Sequence, residues 1–205
     1  IAGVIDDADV SHPEAAADLC SVMARTFRDE AAPMPPDQAR AIFTQGLVWA
    51  QRGLTLMPAA YQAGQVAQFA RISEGTGSDT ARDALRMVRG TSLAAYQKAA
   101  EGSLDRFWAA VDLAEADLLE SQWDGALMRY EEIIRLGGSW PGHLGATVKV
   151  CRMLLPHLEV PISVRDAFSC LFQAMPCVLV FSGHMIDHAD RLVPRFPAGL
   201  ENAVA

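Results

Sequence analysis

Runs of one charge are missing from this sequence, and so is any basic stripe. Its 17 Lys and Arg are scattered among 25 Asp and Glu, for a net charge of −8. Phosphate backbones are held by clustered cations, so a nucleic-acid partner is excluded. No apolar run approaches the roughly 18 residues that cross a bilayer, so no membrane partner is expected. The first ten residues carry three Asp and no basic residue, which is not the pattern of a signal peptide. The four cysteines, Cys20, Cys151, Cys170 and Cys177, form no C-x-x-C pair and have no His at ligand spacing. That excludes a zinc site and fits reduced, mostly buried thiols in a cytoplasmic protein. A Walker loop, a G-x-S-x-G elbow and an H-E-x-x-H helix are all missing, so no cofactor, metal or catalytic residue is expected.

What is abundant is alanine, within a chain that is 51% hydrophobic and 20% charged. Alanine favours closely packed helices. Ser11-His12-Pro13-Glu14 has a capping-box pattern, and Leu19, Val22, Met23 and Phe27 follow at helical spacing. Pro33, Pro35 and Pro36 end that helix. A second runs from Asp37 through Ile42, Phe43, Leu47 and Trp49, fading at Gly53 and stopped by Pro58. A third is expected over 59–72, then one over 80–89 interrupted at Gly90, and another over 92–100. Ser103 caps 104–120, and further helices cover 125–136, about 140–155 and 163–174. Connections this short make neighbouring helices antiparallel.

Two stretches are nearly alike: Ser92-Leu93-x-x-Tyr96-x-x-Ala99 and Ala126-Leu127-x-x-Tyr130-x-x-Ile133. Tyr96 and Tyr130 are 34 residues apart, the period of the tetratricopeptide repeat. Over 107–138, Leu113 and Ala114 make a large-small pair, Trp123 fills the turn, Ala126 is the small contact and Tyr130 the bulky cover. This resembles a divergent tetratricopeptide unit. Gly138 replaces the closing Pro, and Asp117 stands near where an aromatic is usual. An unrelated Ala-rich hairpin with chance spacing is the alternative. The resemblance implies that Leu93, Tyr96, Ala99, Leu113, Ala114, Trp123, Ala126, Tyr130 and Ile133 are repeat core, and that the array's concave face receives a partner.

At the other end, Val178-Leu179-Val180-Phe181 lies between Pro176 and Gly183 and is expected to be a buried strand of a parallel sheet. Glycine after such a strand lets backbone N–H groups approach a phosphate. Ser182, Gly183, His184, Asp187, Arg191 and Arg195 are the candidate phosphate or ribose contacts, with an ordinary strand-ending turn as the alternative. Ser182-Gly183-His184-Met185-Ile186-Asp187 followed by Pro194-Arg195-Phe196-Pro197 looks like the opening of a SLOG-type Rossmann-like domain. In bacterial proteins of that group, such a domain often follows helices similar to the TRAF-binding regulatory segment of apoptosis-signal-regulating kinases. The first residue is Ile, not Met, and the chain stops soon after the strand, so a piece of a longer polypeptide is expected.

His12, His143 and His157 fall in or beside turns and have no partner at ligand spacing; surface or capping roles suit them. Glu115, Asp117 and Glu120 share a helix and are expected on a solvated acidic face. Met23, Met57, Met87, Met128 and Met153 are expected to fill core gaps. The expected fold is mainly α: antiparallel helix pairs in a tetratricopeptide-like solenoid over 1–175, then the first strand of a truncated α/β domain over 176–205. The expected function is a non-enzymatic scaffold that binds a protein partner or adjacent domain and regulates it, in signalling. The alternative is a part of a nucleotide-derivative sensor using the turn at 182–187.

Overall fold

The computed structural model describes residues 12–173, and these residues are mainly helical. Eight α-helices follow one another: α1 (Pro13–Ala31), α2 (Pro36–Leu56), α3 (Ala60–Ser73), α4 (Asp79–Lys98), α5 (Leu104–Leu119), α6 (Trp123–Leu136), α7 (Pro141–Leu154) and α8 (Ile162–Gln173). Short 3-10 turns, Gly137–Ser139 and Leu155–His157, flank α7. The strand expected over 178–181 and all of 176–205 lie outside the described residues.

Local chemistry sets the ends. Pro13, Pro36 and Pro141 each open a helix, where a missing N–H costs nothing. Ser78 Oγ accepts the Ala81 N–H at 2.9 Å, and Ser103 Oγ accepts the Arg106 N–H at 3.2 Å. One expected boundary fails: α4 runs unbroken through Gly90. Glycine inside a helix costs only about 1 kcal/mol relative to alanine, and Val88 and Ser92 on either side are buried. Packing on both sides of the glycine outweighs its propensity. Gly53 lies within α2, which runs on to Leu56 and stops just before Pro58 as expected. A Cβ on Gly53 would stand 3.3 Å from Cys20 Cβ and 3.5 Å from the Ala17 carbonyl oxygen, so this glycine lets α1 and α2 approach closely.

From α1 to α6 each helix packs mainly on its sequence neighbours. The buried side chains of the even helices repeat. Ala39, Phe43, Gly46 and Ala50 on α2 correspond to Ala81, Leu85, Val88 and Ser92 on α4. On α6 and the turn after it, Ala126, Tyr130, Ile133 and Gly137 take the same places. The order is small, large, variable, small, at spacings of four, three and four residues, which keeps one helix face toward the core. The odd helices match too: Ala63, Val66, Phe69 and Ala70 on α3 stand where α5 has Phe107, Ala110, Leu113 and Ala114.

The step from unit to unit is therefore 42 to 45 residues, and the counterpart of Tyr130 is Leu85, not Tyr96. Tyr130 is fully buried. Tyr96 is half-buried near the end of α4, where the Arg106 guanidinium lies 4.2 Å from its ring centre. The Tyr96 hydroxyl donates to Glu132 and accepts from Arg106. Leu93, expected in the core, is 47% exposed, and Ala99 is only partly buried at the end of α4. Because α4 is one continuous helix with its buried face fixed by Ala81, Leu85, Val88 and Ser92, Leu93 is turned outward. Leu113, Ala114, Ala126 and Ile133 are buried as expected, and Trp123 packs against the core from the first turn of α6.

Asp117 is 6% exposed, not on a solvated face. Its carboxylate accepts from Arg89 Nη2 at 2.7 Å and Arg129 Nε at 2.8 Å, joining α4, α5 and α6. A Cβ on Gly125 would come within 3.1 Å of Asp117 Oδ2, so the α6 glycine makes room for this carboxylate. Two of the methionines expected in the core, Met87 and Met128, are exposed instead. The apolar face of each of their helices is already filled by the repeat residues.

Candidate functional site

Helix α7 does not continue the row of α1–α6. It lies over the odd helices, and Ala146, Thr147 and Val150 on α7 share a cavity with residues of α1, α3 and α5. Lys149 Nζ on α7 stands 3.2 Å from Asp29 Oδ2 on α1. His143 in the first turn of α7 sets its ring 5.1 Å from Trp108 and 6.5 Å from Phe107 on α5. The face that a repeat array would offer to a partner is thus covered by the chain's own helix.

Beneath α7 the cavity has a volume of about 190 Å³. A polar chain crosses it. Arg28 Nη1 on α1 donates to Gln68 Oε1 on α3 at 3.3 Å, and Gln68 Nε2 donates to Glu115 Oε2 on α5 at 2.5 Å. Arg28 is 8% exposed; its Nε makes no hydrogen bond and has only Asp29 Oδ1 at 3.9 Å. One turn before Glu115, Asp112 Oδ2 accepts from Ser92 Oγ at 2.8 Å. Gln65 Nε2 donates to the Tyr61 hydroxyl at 3.0 Å on the same wall. Below this layer, Arg71 Nε on α3 donates to the Leu119 carbonyl of α5 at 3.0 Å.

Desolvation governs the charges. Burial pushes Glu115 up to about 7, reinforced by Asp112 and opposed by Arg28 and by the Gln68 hydrogen bond. Burial likewise pushes Asp112 up to about 6, with the Ser92 hydrogen bond working against it. Burial pulls Arg28 below its ordinary value despite Glu115 and Asp29. Both carboxyls thus bind protons more readily in the folded chain than in the unfolded one. Stability is then expected to fall as pH rises from the ordinary carboxyl range toward 8. His157 runs the other way: burial lowers it, so its contribution is lost as pH falls below its ordinary value. Subtracting a Glu115→Gln variant from the parent isolates the carboxyl. Denaturant titrations should show the variant gaining on the order of 2 kcal/mol relative to the parent between pH 5 and pH 8. A parent-minus-variant difference that stays constant across that range would refute the buried-carboxyl account.

Among the sequence-derived candidates, only Glu115 lies in this cavity, and it was expected to be solvated. Arg28, Gln65, Gln68 and Asp112 were missed. Arg28 does leave a trace, since it stands at a core-spaced position between Ala24 and Ala31, and Gln68 belongs to a row of polar residues, Gln62, Gln65 and Arg71, buried along α3. His157 is no surface residue: its ring nitrogens are buried, and its ring lies 5.3 Å from Phe43. Ser182, Gly183, His184, Asp187, Arg191 and Arg195 lie outside the described residues. No group of His, Cys, Asp and Glu fit to hold a metal occurs among the described residues, and none of their helices is long and apolar enough to cross a membrane. No protein-family model, curated protein or solved structure matches the chain.

Proposed function

We propose that the chain is a non-enzymatic helical scaffold, a solenoid of helix pairs with a longer step than the 34 residues of a tetratricopeptide repeat, that binds a protein partner or adjacent domain and regulates it. The observation that supports this most is the small-large-variable-small burial pattern repeated on α2, α4 and α6. Units that bury the same positions stack side by side and extend a surface with each repeat. The contact face differs from the one first expected, because α7 lies over the odd helices. On the even helices, Val48, Met87 and Met128 stand roughly opposite Phe43, Leu85 and Tyr130 at 3.6 residues per turn. They are 63%, 39% and 68% exposed, and with the exposed Leu93 on α4 they give the even helices outward apolar side chains.

Photo-crosslinking amino acids placed at Val48, Met87 and Met128 test this in cells, with Arg82 and Glu131 as exposed controls. The expected result is capture of one discrete protein or attached domain from the three apolar positions and not from the controls. The Val48→Asp, Met87→Asp, Met128→Asp triple variant should remain folded and lose that contact. Equal capture from controls and apolar positions, or capture unaffected in the triple variant, would reject the outward face as the binding surface.

A further inference from the structure

The cavity under α7 is built asymmetrically. Its α1 wall contributes Arg25 and Arg28, and its α5 wall contributes Asp112 and Glu115. Tyr61 and Trp108 add aromatic surface. The opposite charges of Arg28 and Glu115 are joined through the Gln68 amide, a weaker partner for each than a full counter-charge. Arg28 is the telling residue. Its side chain is nine-tenths buried, yet its hydrogen bond goes to the neutral Gln68 amide and its ion-pair partner, Asp29 Oδ1, stands 3.9 Å away, so its charge is weakly compensated. A merely structural cluster of this kind would close on itself; this one borders about 190 Å³ of space. That is about six water volumes at ~30 Å³ each, enough for a small organic molecule.

We propose that this cavity binds a small zwitterion of amino-acid or betaine type, its carboxylate toward Arg28 and its cationic nitrogen toward Asp112 and Glu115. A guanidinium takes a carboxylate in a planar contact, which would give Arg28 the full counter-charge that the Gln68 amide does not supply. Carboxylates flanked by Trp108 and Tyr61 suit a cationic nitrogen, which is drawn to aromatic faces as well as to negative charge. Neither a simple amine nor a simple carboxylate answers both walls. Since α7 forms one side of the cavity, the occupant would also fasten α7 to α1, α3 and α5. This site is separate from the outward face of the even helices, so the scaffold reading stands or falls independently of it.

Calorimetric titration of the full chain tests the proposal with glycine, L-alanine, L-serine and glycine betaine. Ethylamine and acetate serve as single-charge controls. At least one zwitterion should bind with a Kd below ~1 mM, raise the melting temperature, and bind at least tenfold tighter than ethylamine or acetate. Binding near pH 7 should release protons, seen as a heat that depends on the buffer's ionisation enthalpy, because a nearby cation favours the charged carboxylates. Glu115→Gln is close in shape and should fold; it should weaken binding at least tenfold and reduce the proton release to the small share left to Asp112. Absence of binding by all four zwitterions, equal binding by a single-charge control, or undiminished binding by Glu115→Gln would each overturn the assignment.

Discussion

Replacing Tyr130 with alanine is expected to lower stability by about 3–5 kcal/mol, the range found for emptied aromatic sites in cores. Tyr130 is fully buried, and its ring meets Phe168 and Phe172 edge-on at 5.5 and 5.8 Å between centres. It therefore fixes α8 to α6, with the Cys151 thiol of α7 beside it. The hydroxyl's polar neighbour there is the Cys151 sulfur, at best a weak acceptor, and no well-formed hydrogen bond satisfies it. Tyr130→Phe keeps every ring contact and removes a buried hydroxyl held by no more than a weak thiol contact, so it should change stability by less than about 1 kcal/mol in either direction. Denaturant unfolding of both variants checks the pair. A loss below about 1 kcal/mol for the alanine variant would mean that α8 is not held by this cluster.

The second large effect concerns Gly46. A Cβ there would lie 2.2 Å from Cε1 of Phe69, and that ring is itself backed by Phe43 at 5.5 Å. The ring has nowhere to swing, so Gly46→Val is expected to cost more than about 3 kcal/mol, above the usual 1–3 kcal/mol of overpacking. Helix propensity alone predicts the opposite, since glycine is the poorer helix former. The repeat suggests a compensation: the next unit places Val88 and Leu113 where this one has Gly46 and Phe69. The Gly46→Val, Phe69→Leu double variant should recover at least half of the loss, a coupling readable in a double-mutant cycle. Additive costs would show that the two positions do not form a matched pair.

Much of the helical layout was legible in the sequence, because prolines and capping serines act locally. Pro13, Pro141, Ser78 and Ser103 mark real helix starts, and Pro36, expected to end the first helix, opens the second. Gly90 misled because a glycine's local cost is small beside the burial of Val88 and Ser92. Identical letters pair Tyr96 with Tyr130, yet the two side chains occupy unlike places, one half-buried and one fully buried. The real correspondence is one of size: Phe43, Leu85 and Tyr130 share no letter, only bulk between small neighbours. The cavity was harder to see because apolar periodicity was the guide. Arg28 and Gln68 look like interruptions of a core face until the structure brings them together with Glu115.

Open repeat arrays fray from their ends, each unit leaning only on the next. Here α7 reaches back to the start of the row, and the Lys149 to Asp29 contact spans 120 positions of sequence. A loop that long must close before those contacts form, which slows assembly. Once closed, that contact and the shared cavity wall couple the first hairpin to the seventh helix, a link that an open row of units does not have.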